Sequence, residues 1–495
     1  MSAPPDRPLR DVIRHTAVYG IGSVSVSILG LVLVPIYTHH LTPAEFGLLA
    51  LVLALYGFLT GVYDLGMTNA VARFYFEAKG AGDFRLALRR MASTALVFLL
   101  VYAGLFSLAL WLSGGRISAA VTGTAEGAGL IRILALTLLT DTLALLPLTL
   151  IRMQERTRLF VMVTGVRFGA TLVLNIVFVV VLGWGVRGIL LGSAITSAAL
   201  LVVLLPEIGR SIGPFFSPSL LMQMLGFGLP FVPVLVSRWL IDYSDRYLLE
   251  VLTSLDEVGR YSLAYKVAQV LLLAVSAFSM GWAPLRYRIY ERSDAKEIYC
   301  RLTSYYAIVA GIMTVGISLV ARDVVGLIAP ASYAPAATVV APLALSYALY
   351  GLFVLMVTGM GVTTRTKPMA PLAVAAAATN IGLNLLLIPT YGMVAAAYTT
   401  VIANVILAAG AWYYSEKVYP IPYDWRLMGR VAVLGFGIVW LSESLRPMTL
   451  AGGWVVTVPA GMLFVALLFL VRVVRLADVS SARDWIGDFL SKGRP

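Results

Sequence analysis

Residues 234–250, VLVSRWLIDYSDRYLLE, place Arg238, Asp242, Asp245 and Arg246 inside a stretch that otherwise reads as a membrane-spanning helix. A charge at the bilayer centre costs at least about 2.5–3.5 kcal/mol on insertion scales. Four in one segment therefore need mutual pairing or a hydrated interior. Arginine offers a planar fork that grips phosphate oxygens in bidentate fashion, and an aspartate inside a membrane either neutralises a cation or carries a proton or metal ion. The same chemistry recurs elsewhere in apolar surroundings: Lys266, the pair Asp141 and Arg167, the amides Asn380, Asn384 and Asn404, and Asp64 with Arg73 at the end of an apolar run. Three histidines (His15, His39, His40) and one cysteine (Cys300) leave no internal disulfide and no structural zinc set. No cofactor is expected.

The elements that hold these residues are membrane spans. Of the 495 residues 60% are hydrophobic and 13% charged, against about 45–50% and about 25% in soluble domains. The polar N-terminal residues lead straight into a long apolar segment, which does not read as a signal peptide. Apolar runs long enough for a core of roughly 30 Å fall near 16–38, 44–63, 91–112, 129–150, 159–183, 186–206, 226–249, 258–283, 303–321, 334–362, 369–388, 392–414, 430–446 and 453–472. The expectation is an all-α polytopic membrane protein of about 14 transmembrane helices. With both termini in the cytoplasm, 27 of the 37 Lys and Arg residues fall on cytoplasmic segments, as the positive-inside rule requires. The net charge of +12 then reflects topology and anionic lipid, and no nucleic-acid partner is inferred.

Two internal matches indicate a repeat. RTRLFVMVTGVRFGATLVLN (156–175) aligns with RTKPMAPLAVAAAATNIGLN (365–384), and LTPAEFG (41–47) with LTSLDEVG (252–259). Both offsets are close to 210 residues. Helices 1–6 and 7–12 are thus expected to form two parallel six-helix lobes related by a pseudo-two-fold along the membrane normal, with helices 13 and 14 appended. The expected divisions are an N-lobe at 1–215, a C-lobe at 216–420, helices 13–14 at 421–476 and a cytoplasmic tail at 477–495. In that tail Val479, Trp485, Ile486, Phe489 and Leu490 recur at helical spacing, which reads as an interfacial amphipathic helix.

Three segments carry a family resemblance. YDLGMTNAVARFYFE (63–77), DRYLLEVLTSLDEVGRYSLAYK (245–266) and NLLLIPTYGMVAAAYTT (384–400) resemble, in order, motifs of the O-antigen (Wzx-type) flippases. These are the polysaccharide-transport branch of the multidrug/oligosaccharidyl-lipid/polysaccharide (MOP, MATE-like) exporter superfamily. The resemblance implies a protein of the bacterial inner membrane that is not an enzyme. It would move undecaprenyl-diphosphate-linked oligosaccharide from the cytoplasmic to the outer leaflet by alternating access, for O-antigen, capsule or exopolysaccharide synthesis. It further implies a monomer acting beside a chain polymerase and a chain-length regulator, with H+ or Na+ coupling possible. The alternatives are a MATE-like ion-coupled multidrug antiporter and, behind it, a lipid II flippase. Relatives that include lipid II flippases carry a basic residue early in helix 1, where GSVSVSILG (22–30) offers only Ser25 and Ser27.

The residues themselves leave pairs of readings. Arg238 lies roughly 18 Å from the cytoplasmic start of its helix and Lys266 roughly 12 Å from the outer start of the next. In a hairpin both cations reach mid-membrane, as a diphosphate clamp or as charges neutralised by Asp242 and Asp245 or snorkelling outward. Asp245 and Arg246 read as a structural pair at the outer rim. Asp141 and Arg167 are nearly equidistant from the turn at 152–157 and so share a depth. They form a buried salt bridge, or Asp141 is an ion-coupling carboxylate, a role also open to Asp242 and Asp64. Asn380 and Asn384 line a glycan path or act as interhelical hydrogen-bond glue. Arg73 admits the anionic head group or pairs at the surface.

Overall fold

In a computed structural model the described residues are 32–80, 82–122, 127–445 and 454–471. Every regular element among them is helical. Lipid offers no water to satisfy peptide groups, so an apolar chain must pair them within each segment. Ten of these helices are long and apolar enough to cross a membrane, which makes this a multi-pass membrane protein. Most predicted spans appear with shifted ends, as 44–63 does in Pro43–Asp64 and 258–283 in Leu255–Tyr290. One differs in kind: the predicted span 226–249 divides into Pro218–Gly228 and Phe231–Leu252. The spans 369–388 and 392–414 are the two helices of Met369–Val418, separated by the non-helical Gly392 (φ 54°, ψ −137°). The first predicted span lies mostly outside the described residues, as do Ser25, Ser27 and the whole amphipathic tail.

Sequence chemistry sets the helix ends. Thr42 caps the Pro43 helix through a capping box with Glu45, which satisfies two backbone donors at once. Asp83 and Ser217 cap Phe84–Leu112 and Pro218–Gly228 through their side-chain oxygens. The Asp-Leu-Gly motif at 64–66 is a helix break. Leu65 and Gly66 both take the left-handed conformation (φ 47° and 71°), and Asp64 accepts the Thr68 N–H (3.0 Å) and hydroxyl (2.6 Å), opening the next helix, Met67–Lys79. Gly66 is required twice over, because a Cβ there would also fall 2.7 Å from the Gly228 Cα.

By packing, the described residues divide into two compact units, one spanning Val32–Ser262 with Ile388–Gly392 and the other Leu263–Leu387 with the described residues from Met393 onward. The division falls inside the expected C-lobe, because Phe231–Leu252 packs on the Pro43 helix. Trp239 Nε1 donates to the Ala54 carbonyl (2.7 Å) and the Tyr247 hydroxyl to that of Leu51 (3.0 Å). The first unit has a core of Met67, Phe74, Met91, Leu99 and Leu146, and the second one of Trp282, Tyr299, Met356, Met360 and Tyr423. A smaller core joins Val315 and Leu319 to Val431, Ile438 and Phe464 of the two C-terminal helices.

Candidate functional site

Within the first unit, four helices converge on one carboxylate. Asp141 stands midway along Ala128–Met153 and is 8% exposed. One oxygen accepts the Tyr56 hydroxyl from the Pro43 helix (2.6 Å), and the other accepts Arg167 Nη2 from Thr157–Ile176 (2.6 Å). Arg167 Nη2 also donates to Ser197 Oγ of Gly185–Ser211 (2.8 Å). The equal depth expected for Asp141 and Arg167 is thus realised as an ion pair, with about a third of the Arg167 side chain still exposed (32%). Removing two charges from water costs several kcal/mol per ion, which direct pairing and extra hydrogen bonds offset. The polar layer continues at matched spacing. Thr171 donates to Thr196 (3.0 Å), and Asn175 donates to the Tyr37 hydroxyl (2.7 Å). Chemically, the site is a carboxylate with two donors, one of them a cation, inside an apolar bundle.

The charge cluster of Phe231–Leu252 is hydrogen-bonded at its C-terminal end within the helix and to the Leu255 helix. Asp245, 1% exposed, accepts the Tyr261 hydroxyl (2.6 Å) and lies 3.5 Å from Arg246 Nη1. Arg246, 7% exposed, donates to the Asp242 carbonyl (2.7 Å) and stacks over Tyr243. Asp242 is partly exposed, and the Arg238 side chain lies outside the described residues. Lys266 belongs to the other compact unit, partly exposed on the Leu255 helix.

Asn380 and Asn384 are buried, and their hydrogen bonds close on themselves. Asn384 Nδ2 donates to Asn380 Oδ1 (3.2 Å), while Thr399 donates its hydroxyl to Asn384 Oδ1 and lies 3.5 Å from Asn380 Nδ2. Asn404 Nδ2 donates to the Thr400 carbonyl (3.0 Å). Asn380 and Asn384 join the two halves of Met369–Val418 through Thr399, while the Asn404 bond stays within the second half. Asp64 is occupied in capping. Arg73 makes an exposed i,i+4 pair with Glu77 (3.0 Å) and lies over Phe227. Outside the spans, hydrogen bonding to Glu207 (2.7 and 2.9 Å) holds the Arg156 guanidinium above its ordinary value, and Arg292 holds the Asp294 carboxyl below the usual range.

Sequence reasoning missed Tyr56 and Tyr261, which donate to Asp141 and Asp245, Ser197, which accepts from Arg167, and Tyr37, which accepts from Asn175. Their only signal is a hydroxyl within an apolar span, which is common in membrane helices. A crevice of about 450 Å³ was also not foreseen; Leu352, Met356, Ala408, Trp412 and Trp425 are among its apolar lining. Among the described residues no group of three His, Cys, Asp or Glu is placed to hold a metal.

A comparison with curated protein sequences gives no match. Among solved structures, the chain is similar to a lipid II flippase MurJ in an inward closed conformation (TM-score 0.73, 11% identity, covering 92% of this chain and 100% of that one). It is also similar to an inward-facing multidrug resistance MATE family transporter of the MOP superfamily (0.65, 14%, 80% and 94%). A third is the Vibrio cholerae MATE transporter VcmN in its bent form (0.53, 15%, 83% and 96%). At these identities the likeness concerns the fold. The family model described as "Polysaccharide biosynthesis protein" matches residues 12–290, more than half of the sequence. The chain therefore belongs to the polysaccharide biosynthesis protein family, built on the fold of the MOP superfamily.

Proposed function

We propose that the protein is a flippase for undecaprenyl-diphosphate-linked oligosaccharide, carrying the glycan across the bacterial inner membrane for surface polysaccharide synthesis. The observation that carries this reading is the combination of a polysaccharide biosynthesis sequence with a fold that matches a lipid II flippase over that protein's whole length. Three features support it. A bundle interior with a charged, partly accessible layer at Tyr56, Asp141, Arg167 and Ser197 suits passage of a polar head group through apolar surroundings. An apolar crevice beside Trp412 and Trp425 suits a prenyl chain. The sequence holds no nucleotide-binding loop, so the energy comes from an ion gradient or from consumption of the glycolipid outside.

In this reading Arg238 and Lys266 grip the diphosphate, and Asp141 is the coupling carboxylate, exchanging Arg167 for a proton or Na+ as the protein alternates between states. The glycan is polymerised on the outer side by a separate polymerase with its chain-length regulator, while the flippase acts as a monomer with both termini in the cytoplasm. The test is reconstitution into liposomes with a fluorescent undecaprenyl-diphosphate oligosaccharide, scored by access of an external glycosidase. Arg238→Gln with Lys266→Gln is expected to abolish transfer in protein that still folds. Undiminished transfer by the double variant rejects the clamp. No transfer by the parent, together with efflux of cationic drugs, favours the MATE-like alternative.

A further inference from the structure

The apolar crevice of the second unit ends in charge. Ala337–Met356 supplies Leu352 and Met356 to its wall, the second half of Met369–Val418 supplies Ala408, Ala409 and Trp412, and Trp425 opens the next helix beside it. The Trp412 and Trp425 rings meet edge to face with centroids 5.0 Å apart. Residues 412–425 hold six aromatic side chains around the turn between two membrane spans. Such belts mark the level of lipid head groups. The crevice therefore lies at acyl-chain depth, with its end among the head groups. Ala409 and Trp425 are exposed, so it is open along one side.

Glu416 continues the lining face, one helical turn beyond Trp412 and two beyond Ala408 and Ala409. Its Oε2 is buried and accepts no hydrogen bond, and the Tyr423 hydroxyl, on a side chain 8% exposed, is likewise buried without a partner. Burial and then the Glu416 charge hold the Tyr423 phenol above its ordinary value, so the two orphaned groups share one neighbourhood. A buried polar atom left unsatisfied costs about 1–3 kcal/mol, and more for a charged group. This end of the crevice thus lacks a donor, and a cationic donor suits it best. Asp424, the other carboxylate of the turn, is already occupied in accepting the Leu427 N–H (2.9 Å). Beyond Glu416, Lys417 lies over the Tyr413 ring (4.1 Å) and Arg426 is exposed.

Size narrows the occupant. A methylene group is close in size to a water molecule, which takes roughly 30 Å³. A crevice of about 450 Å³ then holds one fatty-acyl chain, but only a small part of an undecaprenyl chain. We infer that it is a site for an aminophospholipid of the phosphatidylethanolamine class. One acyl chain lies along Ala408 and Ala409, the ammonium donates to Glu416, and the phosphate sits by Lys417 and Arg426. Phosphatidylglycerol brings no cation to Glu416, and phosphatidylcholine brings a cation with no N–H. The site does not depend on the identity of the cargo, whose prenyl tail shares only the apolar part.

The test titrates delipidated protein in detergent with dioleoyl phosphatidylethanolamine, phosphatidylglycerol or phosphatidylcholine, counting bound lipid by native mass spectrometry. The parent is expected to bind the first about tenfold more tightly than the other two. Glu416→Gln brings the three within about twofold of one another. Ala409→Phe, which fills the crevice from its exposed side, weakens phosphatidylethanolamine about tenfold. Equal affinities in the parent, or a preference that survives in folded Glu416→Gln protein, overturn the inference. If Glu416→Gln protein does not fold, unchanged binding by Ala409→Phe protein overturns it. Displacement of phosphatidylethanolamine by an equal concentration of undecaprenyl phosphate also overturns it, and assigns the crevice to the prenyl tail.

Discussion

The hairpin of Thr157–Ile176 and Gly185–Ser211 and the hairpin within Met369–Val418 are copies that fill the same polar layer differently. In the second, Thr399 supplies a hydroxyl to Asn384 Oδ1 and the amides close into a buried cluster. In the first, Asn175 stands for Asn384 and Gly192 for Thr399. Gly192 has no hydroxyl to give, and Asn175 Oδ1 is left without a donor. Arg167 likewise stands where the second copy has Ala376, which is fully buried. One hairpin is a sealed joint of neutral groups, while the other carries a charge, a free acceptor and partial exposure. The layer recurs in both hairpins, and the first carries the charge.

Breaking the charged copy has the largest expected effect. Asp141→Leu leaves Arg167 without its counter-charge and costs about 3 kcal/mol, at the low end for a buried pair because a third of Arg167 is exposed. Adding Arg167→Leu recovers at least half of that stability in chemical denaturation of detergent-solubilised protein. No recovery shows that the pair does not hold the layer together. Next comes the sealed copy. Asn384→Leu strands the Asn380 carbonyl and leaves the Thr399 hydroxyl only its bond to the Ala396 carbonyl (2.9 Å), costing about 2 kcal/mol by the same assay. Asn175→Leu removes one bond from a group already lacking a partner, so its cost is smaller, about 1 kcal/mol. Equal costs for these two would erase the distinction between the copies. The smallest effect belongs to Arg73→Ala, which breaks an exposed ion pair and shifts stability by under about 0.5 kcal/mol. A strong transport defect with unchanged stability would restore Arg73 as a head-group contact.

Patterns that depend on chain geometry were legible in the sequence. Equal distance from a turn placed Asp141 opposite Arg167, and the repeat at 41–47 and 252–259 aligned two segments that each open a helix. What stayed hidden depends on which helix lies beside which. Nothing local in Tyr56 marks it as a donor to Asp141, 85 residues away, or in Tyr261 as the donor to Asp245. The span predicted at 226–249 missed the break near Leu229, although Gly228 and Pro230 flank it, because hydrophobic length alone was read there. At 389–392 the break was legible, since Pro389 and the left-handed Gly392 end one helix before the next begins.

The bend at Leu65–Gly66 bears on how the chain enters the bilayer. Pro43–Lys79 forms one apolar segment of 37 residues, about 56 Å if straight and nearly twice the thickness of the lipid core. Broken after Asp64, it needs neither steep tilt nor a distorted bilayer. The first 22 residues suffice for one crossing, and the 13 that follow turn aside with Met67, Val71 and Phe74 against protein and Arg73, Phe76 and Glu77 outward. Insertion machinery that reads only hydrophobic length would meet a segment long enough for nearly two passes. The Asp-Leu-Gly corner therefore leaves room for a single crossing in a segment long enough for nearly two.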